Sequence, residues 1–182
     1  GRGIQTQDGT LLHTLVNLDE GLHLFKSEDH GASWTRVDSP LTPADESKVV
    51  ELANGAWMVN SRVNGVGMRT THSSTAGGAT WTTRPEPQLV DPGVNASLIR
   101  HPSGRLLFAN AASADERTNL TLRQSDDDGE TWSAGRTLYA RSAAYVSLTV
   151  LADGTVGVLF EKDDYSDTVF ARVPLDWITE SP

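Results

Sequence analysis

The sequence contains no cysteine among its 182 residues. This absence excludes disulfide bonds, thiol nucleophiles and cysteine-ligated zinc or iron–sulfur sites, and a chain of this length can bury a core without disulfides. The five histidines show no metal-ligand spacing, and neither a glycine-rich phosphate loop nor a GxSxG nucleophile motif occurs. The sequence therefore predicts a protein that uses no metal or nucleotide cofactor.

Basic residues and long apolar segments are also scarce. The chain has 15 Lys and Arg against 24 Asp and Glu, which gives a formal net charge of −9, and no basic run offsets that excess. A polyanion would be repelled by this charge. No apolar stretch approaches the ~18 residues that a membrane-spanning helix needs. We therefore expect a partner that is neither nucleic acid nor membrane.

What the sequence does contain is an internal repeat. Turn pairs that end in glycine recur at spacings of 46, 49 and 50 positions: Asp8-Gly9, Asn54-Gly55, Ser103-Gly104 and Asp153-Gly154. Such pairs favour two-residue hairpins because they tolerate positive φ angles. An octapeptide follows three of them, as SEDHGASW from Ser27, STAGGATW from Ser74 and SDDDGETW from Ser125. A period of about 50 residues indicates one structural unit per repeat.

The segments between these motifs predict strands. LLFANAA, YVSLTVLA and TVGVLFE are rich in β-branched and aromatic residues, and no window shows a sustained helical period. We predict an all-β fold with essentially no helix, namely a β-propeller, because about 50 residues with four short strands are typical of one blade. Residues 1–182 hold three complete units and part of a fourth, which amounts to about three to three and a half blades of four antiparallel strands. Since an open ring would expose strand edges, we expect an N-terminal half on a separate chain or removed.

The octapeptide resembles the Asp-box, SxDxGxTW, of sialidases and related propellers. The second copy departs from this pattern, with Ala76 in the place of the aspartate. The motif itself predicts a hairpin in which the Asp caps backbone N–H groups, while Trp34, Trp81 and Trp132 pack between strands. We interpret all three copies as folding motifs that are remote from any chemistry.

Candidate site residues are expected where the repeats differ, because residues that only hold a blade together are equivalent in every blade. Nine residues before the turn glycine the units carry Glu46, Asn95 and Tyr145, and seven residues after it they carry Arg62, Ala111 and Glu161. Arg117 follows in the next stretch of the third unit. In a propeller these strand ends surround the central axis. We therefore expect one tyrosine, two glutamates and two arginines around a single mouth, which would form an anion-binding site with a candidate nucleophile.

Three segments resemble the catalytic segments in the C-terminal half of bacterial-type exo-sialidases (neuraminidases): DESKVVELANGAWMVNSR, DERTNLTLRQSDDDGETW and SAAYVSLTVLADGTVGVLFE. The resemblance covers essentially the whole chain. It implies a six-bladed propeller, of which residues 1–182 are the C-terminal portion of a single catalytic domain. It also implies retaining hydrolysis of terminal sialic acid from sialylated glycans, and a secreted or extracellular location.

The same resemblance assigns roles to four residues. Tyr145 matches the nucleophile that forms a covalent sialyl-enzyme intermediate. Glu46 matches the carboxylate that hydrogen-bonds this tyrosine and acts as its base. Arg62 and Arg117 match two of the three arginines that bind the substrate carboxylate.

Two further residues are assigned in the same way. Glu161 matches the carboxylate that positions the remaining arginine, and Asn95 looks like a secondary contact to the sugar. The third arginine and the aspartate that protonates the leaving group have no counterpart in this chain, and in the family both belong to the N-terminal half. The chain alone is therefore expected to be inactive.

Two other functions stay open at this point. A non-catalytic Asp-box propeller would bind a glycan or a protein without turnover, and a trans-sialidase would transfer sialic acid to a sugar instead of to water. The combination of Tyr145, Glu46 and two arginines disfavours the first, because a lectin needs no base beside a tyrosine. Nothing in the sequence separates hydrolysis from transfer.

Other residues of the same types receive ordinary structural interpretations. Tyr139 and Tyr165 are interpreted as half-buried packing residues. Arg69, Arg100 and Arg123 are interpreted as solvated surface charges on strands.

Overall fold

The protein is described by a computed structural model over residues 2–37 and 40–179. Across these residues the chain forms fourteen β-strands and one short helix. The elements are β1 (Ile4–Gln5), β2 (Leu11–Asn17), β3 (Gly21–Ser27), β4 (Thr35–Arg36), β5 (Ser47–Glu51), β6 (Trp57–Ser61), β7 (Met68–Ser74), β8 (Thr82–Val90), β9 (Ser97–Arg100), β10 (Leu106–Ala111), β11 (Thr118–Ser125), β12 (Arg136–Val150), β13 (Val156–Lys162), β14 (Asp167–Val173) and α1 (Leu175–Thr179).

The strands form sheets in sequence order. One four-stranded sheet has the order β1-β2-β3-β4 and a second has the order β5-β6-β7-β8, so that each corresponds to one sequence repeat. The third sheet has six strands in the order β9 to β14. Neighbouring strands pair antiparallel. The prediction of an all-β chain with four antiparallel strands per repeat is confirmed.

Strand β12 is 15 residues long and serves two repeats. Its first part, up to Ser142, pairs with β11, and its second part, from Ala143, pairs with β13. The pairing with β13 shifts register between Ala143 and Val146. Such a β-bulge bends a strand and re-aims the side chains that lie in it. The outer strand of the third repeat and the inner strand of the fourth are thus one continuous strand, which the sequence pattern did not predict.

The chain divides into two compact units. The first unit contains the residues up to Val63 together with Arg69–Glu86, and the second contains Asn64–Met68 together with the residues from Pro87 onward. The core of the first unit joins its two sheets through apolar side chains. They are Leu12, Leu22, Leu24, Val37, Leu41, Val49, Trp57 and Val59. A hydrogen bond from Thr14 Oγ1 to the Ser47 carbonyl, 3.1 Å long, joins β2 to β5.

The core of the second unit is built from the alternating inward residues of the six-stranded sheet. Its largest members include Leu107, Leu120, Leu122, Leu148 and Phe160, each at most 5% exposed. Removal of this apolar surface from water is the main force that holds the unit together. A hydrogen bond of 2.9 Å from the Leu148 amide to Ser97 Oγ ties β12 to β9.

Helix α1 is an element that the sequence did not predict. It is only five residues long, which is too short to show a helical period. Tertiary contacts hold it, since Ile178 is buried and Arg136 lies over the Trp177 ring at 4.4 Å while donating to the Trp177 carbonyl at 2.8 Å. Among the described residues, no helix has the length and apolar character needed to cross a membrane.

Two arginines lie in places that the sequence interpretation did not expect. Arg69 on β7 is 0% exposed and donates from Nε to Asn60 Oδ1 at 2.9 Å. Arg123 on β11 is 9% exposed, and its burial lowers the pKa of the guanidinium. The interpretation of both as solvated surface charges is therefore wrong, because their strands are buried on both faces at these positions and the polar heads bond inside the protein.

The first Asp-box shows how the motif closes a turn. Ser27 Oγ accepts a hydrogen bond from the Gly31 amide at 2.8 Å. Asp29 accepts bonds from the Ser33 amide at 2.8 Å and from the Ser33 hydroxyl at 2.6 Å. The hydroxyl of Ser33, followed by its amide and by Ser27, lowers the pKa of Asp29 to about 2. The capping role predicted for the aspartate is confirmed.

The third box repeats this arrangement and the second lacks half of it. Asp127 accepts from the Thr131 amide at 2.8 Å and from the Thr131 hydroxyl at 2.5 Å. In the second box the Gly78 amide still donates to Ser74 Oγ, at 3.0 Å. Ala76 offers no carboxylate to the residue at the fourth place after it, Thr80. The tryptophans differ as well, since Trp34 is 45% exposed and thus less packed than predicted.

The missing carboxylate leads to a stability prediction. We expect Ala76→Asp to raise the free energy of unfolding by about 1 kcal/mol, the typical effect of a side chain that caps backbone N–H groups. Urea denaturation followed by tryptophan fluorescence measures this change. Ala79→Asp is the matched control, because it adds the same charge to the same exposed turn at a position other than that of the capping aspartate. An equal gain in both variants would attribute the effect to charge alone.

Candidate active site

Four candidate residues occupy equivalent places in two hairpins. Glu46 directly precedes β5 and Arg62 directly follows β6, and the Arg62 amide donates to the Glu46 carbonyl at 3.2 Å. Tyr145 on β12 and Glu161 on β13 stand at the same distances from their own turn glycine. The Tyr145 amide donates to Glu161 Oε2 at 3.2 Å. Each unit therefore brings two of the predicted residues together at the open end of its hairpin, in pairs that the sequence interpretation did not specify.

In the first unit the pair is an ion pair. Arg62 Nη1 lies 2.7 Å from Glu46 Oε2, and Arg62 Nε lies 3.7 Å from Asp45 Oδ2. The Arg62 side chain is only 15% exposed, which strengthens the attraction. The Asp45 carboxylate also accepts the Glu46 amide at 2.7 Å. Sequence reasoning missed Asp45, although an acidic residue directly before Glu46 was a readable signal.

Lys48 adds a further positive charge beside these residues. It is 6% exposed, and its pKa is lowered to about 8, first by burial and then by Arg69, while Glu46 acts in the opposite direction. A lysine is rarely buried to this degree. It lies two residues from Glu46 on β5, so the carboxylate sits among several cationic groups.

In the second unit Tyr145 lies at the β-bulge of β12. It is half-buried and packs against Val94, Ala111 and Ala144, so one side of the ring is fixed by apolar contacts. Bulges next to functional sites commonly re-aim a side chain out of the strand pattern. The bulge thus gives Tyr145 an orientation that regular alternation would not give it.

Arg117 lies next to this tyrosine, directly before β11. Its guanidinium carbon is 6.0 Å from the centre of the Tyr145 ring. Arg117 Nη1 donates to the Tyr165 hydroxyl at 2.6 Å and Nη2 donates to the Gly93 carbonyl at 3.4 Å. Within residues 2–37 and 40–179 it forms no ion pair with a carboxylate. A guanidinium with only neutral partners keeps its full charge and several of its five N–H donors for an anion.

Tyr165 was not predicted as a site residue. The interpretation of this residue as half-buried packing is wrong, since the side chain is 58% exposed and its hydroxyl binds Arg117. The only local feature of the sequence that sets Tyr165 apart is the acidic turn Asp163-Asp164 directly before it. Its partner lies 48 residues earlier, and no local pattern shows such a contact.

The roles assigned to Glu161 and Asn95 from the family resemblance remain predictions. Glu161 is half-buried and accepts the Tyr145 amide, and its role toward a third arginine is untested. Asn95 is half-buried, two residues before β9, and its contact to a sugar is untested. The approach of Tyr145 to Glu46, and the convergence of all these groups on one mouth, also remain predictions.

Comparison with known proteins shows which family the sequence matches. The sequence model of the family described as BNR repeat-like domain matches residues 1–158. The chain is 40% identical to a sialidase of Micromonospora viridifaciens over 98% of its own length, and 30% identical to a sialidase of Bacteroides fragilis over 88%. It spans 30% and 32% of the lengths of these two relatives.

A solved structure agrees with the sequence relatives. The Hadza microbial sialidase Hz136 superimposes on 98% of the chain with a TM-score of 0.86 and 30% identity, and the chain covers 37% of that protein. The repeats predicted an all-β propeller and the family resemblance implied one of the sialidase type, and this fold class is thereby confirmed.

The buried lysine makes the stability of the fold depend on pH. Because burial lowers the pKa of Lys48 from its ordinary value of 10.5 to about 8 in the folded chain, the unfolded chain binds more protons between these values. The free energy of unfolding should therefore rise with pH across this window, by up to about 3 kcal/mol at 1.4 kcal/mol per pH unit. We expect Lys48→Met to remove this rise.

Urea unfolding at pH 7.5, 9 and 10.5 tests this prediction on both proteins. Lys26→Met is the control, because Lys26 is paired with Glu28 on an exposed part of the surface. A rise that persists in Lys48→Met would assign the pH dependence to other groups.

Proposed function

The chain belongs to the bacterial-type sialidases of the BNR repeat-like family, and on that premise we propose that it supplies the nucleophile side of a retaining exo-α-sialidase active site. Its substrate would be a glycoconjugate with a terminal sialic acid. The chain spans about a third of the length of these two relatives. The complete activity is therefore proposed for the chain together with the N-terminal half expected from the resemblance.

One observation carries the proposal. Arg117 has only neutral hydrogen-bond partners among the described residues and lies 6.0 Å from the Tyr145 ring. A guanidinium fork matches a carboxylate with two parallel hydrogen bonds. Its charge also favours the ionised form of a nearby phenol. The guanidinium of Arg117 can therefore both bind the substrate carboxylate and stabilise the phenolate of the tyrosine nucleophile.

The chemistry of sialic acid explains why a tyrosine suits this role. The sugar carries a carboxylate on the carbon that is attacked, so a negatively charged aspartate or glutamate nucleophile would be repelled. A neutral phenol avoids that repulsion, and sialidases are known as the tyrosine exception among glycosidases. Because an unperturbed tyrosine has a pKa near 10, it needs a base and a cation to react at neutral pH.

In the proposed reaction Glu46 takes the phenolic proton of Tyr145. The phenolate oxygen then bonds to the anomeric carbon, and the glycosidic bond breaks as the leaving oxygen gains a proton from an acid outside this chain. In a second step water attacks the anomeric carbon and gives a proton to the conjugate base of that external acid, while the bond from this carbon to the Tyr145 oxygen breaks and Glu46 returns the proton to the phenolate. Two successive inversions leave the anomeric configuration retained. Arg62 and Arg117 hold the substrate carboxylate. Glu161 orients the third arginine.

Asn95 completes the proposed set of residues. We assign it a hydrogen bond to a polar group of the sugar, which agrees with its half-buried place before β9. No step of the reaction passes through it.

Turnover of a fluorogenic sialoside tests the proposal. The 182-residue chain alone should be inactive, and the chain joined to the N-terminal part of the Micromonospora viridifaciens sialidase should be active. In the joined protein, Tyr145→Phe should lower kcat on the order of a thousandfold or more, the scale of losses seen when a nucleophile is removed. Proton NMR of the first product should show the retained anomer.

The controls separate the alternatives. Phe170→Leu, an exposed aromatic position on β14, should leave turnover unchanged. Full activity in Tyr145→Phe would contradict the proposal, and sialoside binding without turnover in the joined protein would identify a lectin. Addition of lactose as an acceptor shows whether sialic acid is released to water or transferred to sugar.

A further inference from the structure

The turn between β13 and β14 has an unusual backbone. Asp163, Asp164 and Tyr165 have φ angles of 50°, 55° and 68°, three successive non-glycine residues in the left-handed region. Residues with a Cβ rarely adopt this conformation, and they do so mostly one at a time. Aspartate tolerates it, but tyrosine has no such preference. A conformation of this kind persists only where the surroundings impose it, and it is often found at functional positions.

Contacts from β12 impose it here. The Asp163 amide donates to the Ser142 carbonyl at 2.9 Å, and the Asp164 amide donates to Ser142 Oγ at 3.1 Å. Ser142 Oγ in turn donates to Asp164 at 2.8 Å. The Asp163 carboxylate accepts the Tyr139 hydroxyl and pairs with Lys162. The backbone amides and the carboxylates of both aspartates are thus held by neighbouring residues. These contacts restrict the direction in which the following residue, Tyr165, can point.

The fixed turn directs Tyr165 to Arg117. The Tyr165 hydroxyl accepts the Arg117 Nη1 proton at 2.6 Å, although the ring itself is 58% exposed. Burial of the ring therefore does not explain why the chain holds a tyrosine in a strained conformation. The strained backbone instead keeps the Tyr165 hydroxyl in hydrogen-bond contact with the Arg117 guanidinium.

The neutral charge of this partner matters. Arg62 is held by carboxylates, whose negative charge offsets that of its guanidinium. Arg117 is held by a phenol and a backbone carbonyl. These neutral acceptors restrict the guanidinium without cancelling its charge, so the arginine is ordered before an anion arrives. Less side-chain entropy is then lost on binding.

We propose that Tyr165 is a positioning residue that holds Arg117 in the orientation required by the substrate carboxylate. The proposal rests on the proposed sialidase function. Tyr165 acts through Arg117 on carboxylate binding and takes no part in bond breaking. Loss of its hydroxyl should therefore affect KM much more than kcat.

Tyr165→Phe tests this role, because it removes the hydroxyl and keeps the ring. In the joined protein that turns over the sialoside, we expect KM and the Kd for free sialic acid to rise about tenfold, the factor that corresponds to one hydrogen bond to a charged group. We expect kcat to stay within about twofold, since the bond-breaking groups are untouched. Phe170→Leu, in the same hairpin, is the matched control and should change neither constant. An unchanged KM in Tyr165→Phe would overturn the proposal.

A double-mutant cycle shows whether Tyr165 acts through Arg117. Binding of free sialic acid is measured for Arg117→Ala and for the double variant with Tyr165→Phe. If Tyr165 acts through the arginine, the second substitution should add no further loss. A tenfold loss that remains in the Arg117→Ala background would assign Tyr165 a direct contact and would overturn the positioning role.

A ligand-free measurement keeps this inference separate from the proposed function. Side-chain nitrogen NMR of the 182-residue chain should show slow rotation of the Arg117 guanidinium and faster rotation in Tyr165→Phe. If no sialoside is bound or turned over, the sialidase proposal fails and the NMR result still decides whether Tyr165 orders Arg117. Identical Arg117 signals in both proteins would contradict the inference in either case.

Discussion

The antiparallel register of the first hairpin in each repeat is the constraint on which the candidate site depends. The turn glycines Gly55 and Gly154 both have a φ of 80°, a conformation that residues with a side chain rarely adopt. Because side chains alternate between the two faces of a strand, a slip of one residue would turn each candidate residue to the opposite face. The turns thereby place Glu46 opposite Arg62, and Tyr145 beside Glu161.

The two arginines show two ways in which a fold can hold a cation. Arg62 is largely buried and lies against the carboxylates of Glu46 and Asp45, so it is electrostatically compensated within its own unit. Arg117 has neutral partners and stays available to an external anion. The two guanidinium groups therefore have partners of different charge, and both arginines can still take part in carboxylate binding, Arg117 without competition from a carboxylate of the chain.

Irregular backbone supports the second of these arrangements. The β-bulge in β12 sets the direction of Tyr145, and the left-handed turn after β13 sets the direction of Tyr165. Regular strands cannot supply these directions, since they allow only two faces. The cost of each irregularity is met by contacts from neighbouring strands, such as those of Ser142 with the turn. The rigid sheet thus holds irregular backbone at the positions of Tyr145 and Tyr165.

Local chemistry in the sequence was sufficient to determine the repeats, the hairpin turns, the Asp-box capping and the all-β class, because each of these depends on residues close together in the chain. The identities and spacing of Glu46, Arg62, Arg117, Tyr145 and Glu161 were readable in the same way. Only the tertiary structure decided the burial of Arg69 and Arg123, the continuity of β12 and the contact of Tyr165 with Arg117. These features join residues that are distant in sequence, and their energies come from desolvation and hydrogen bonds that exist only after the strands have packed.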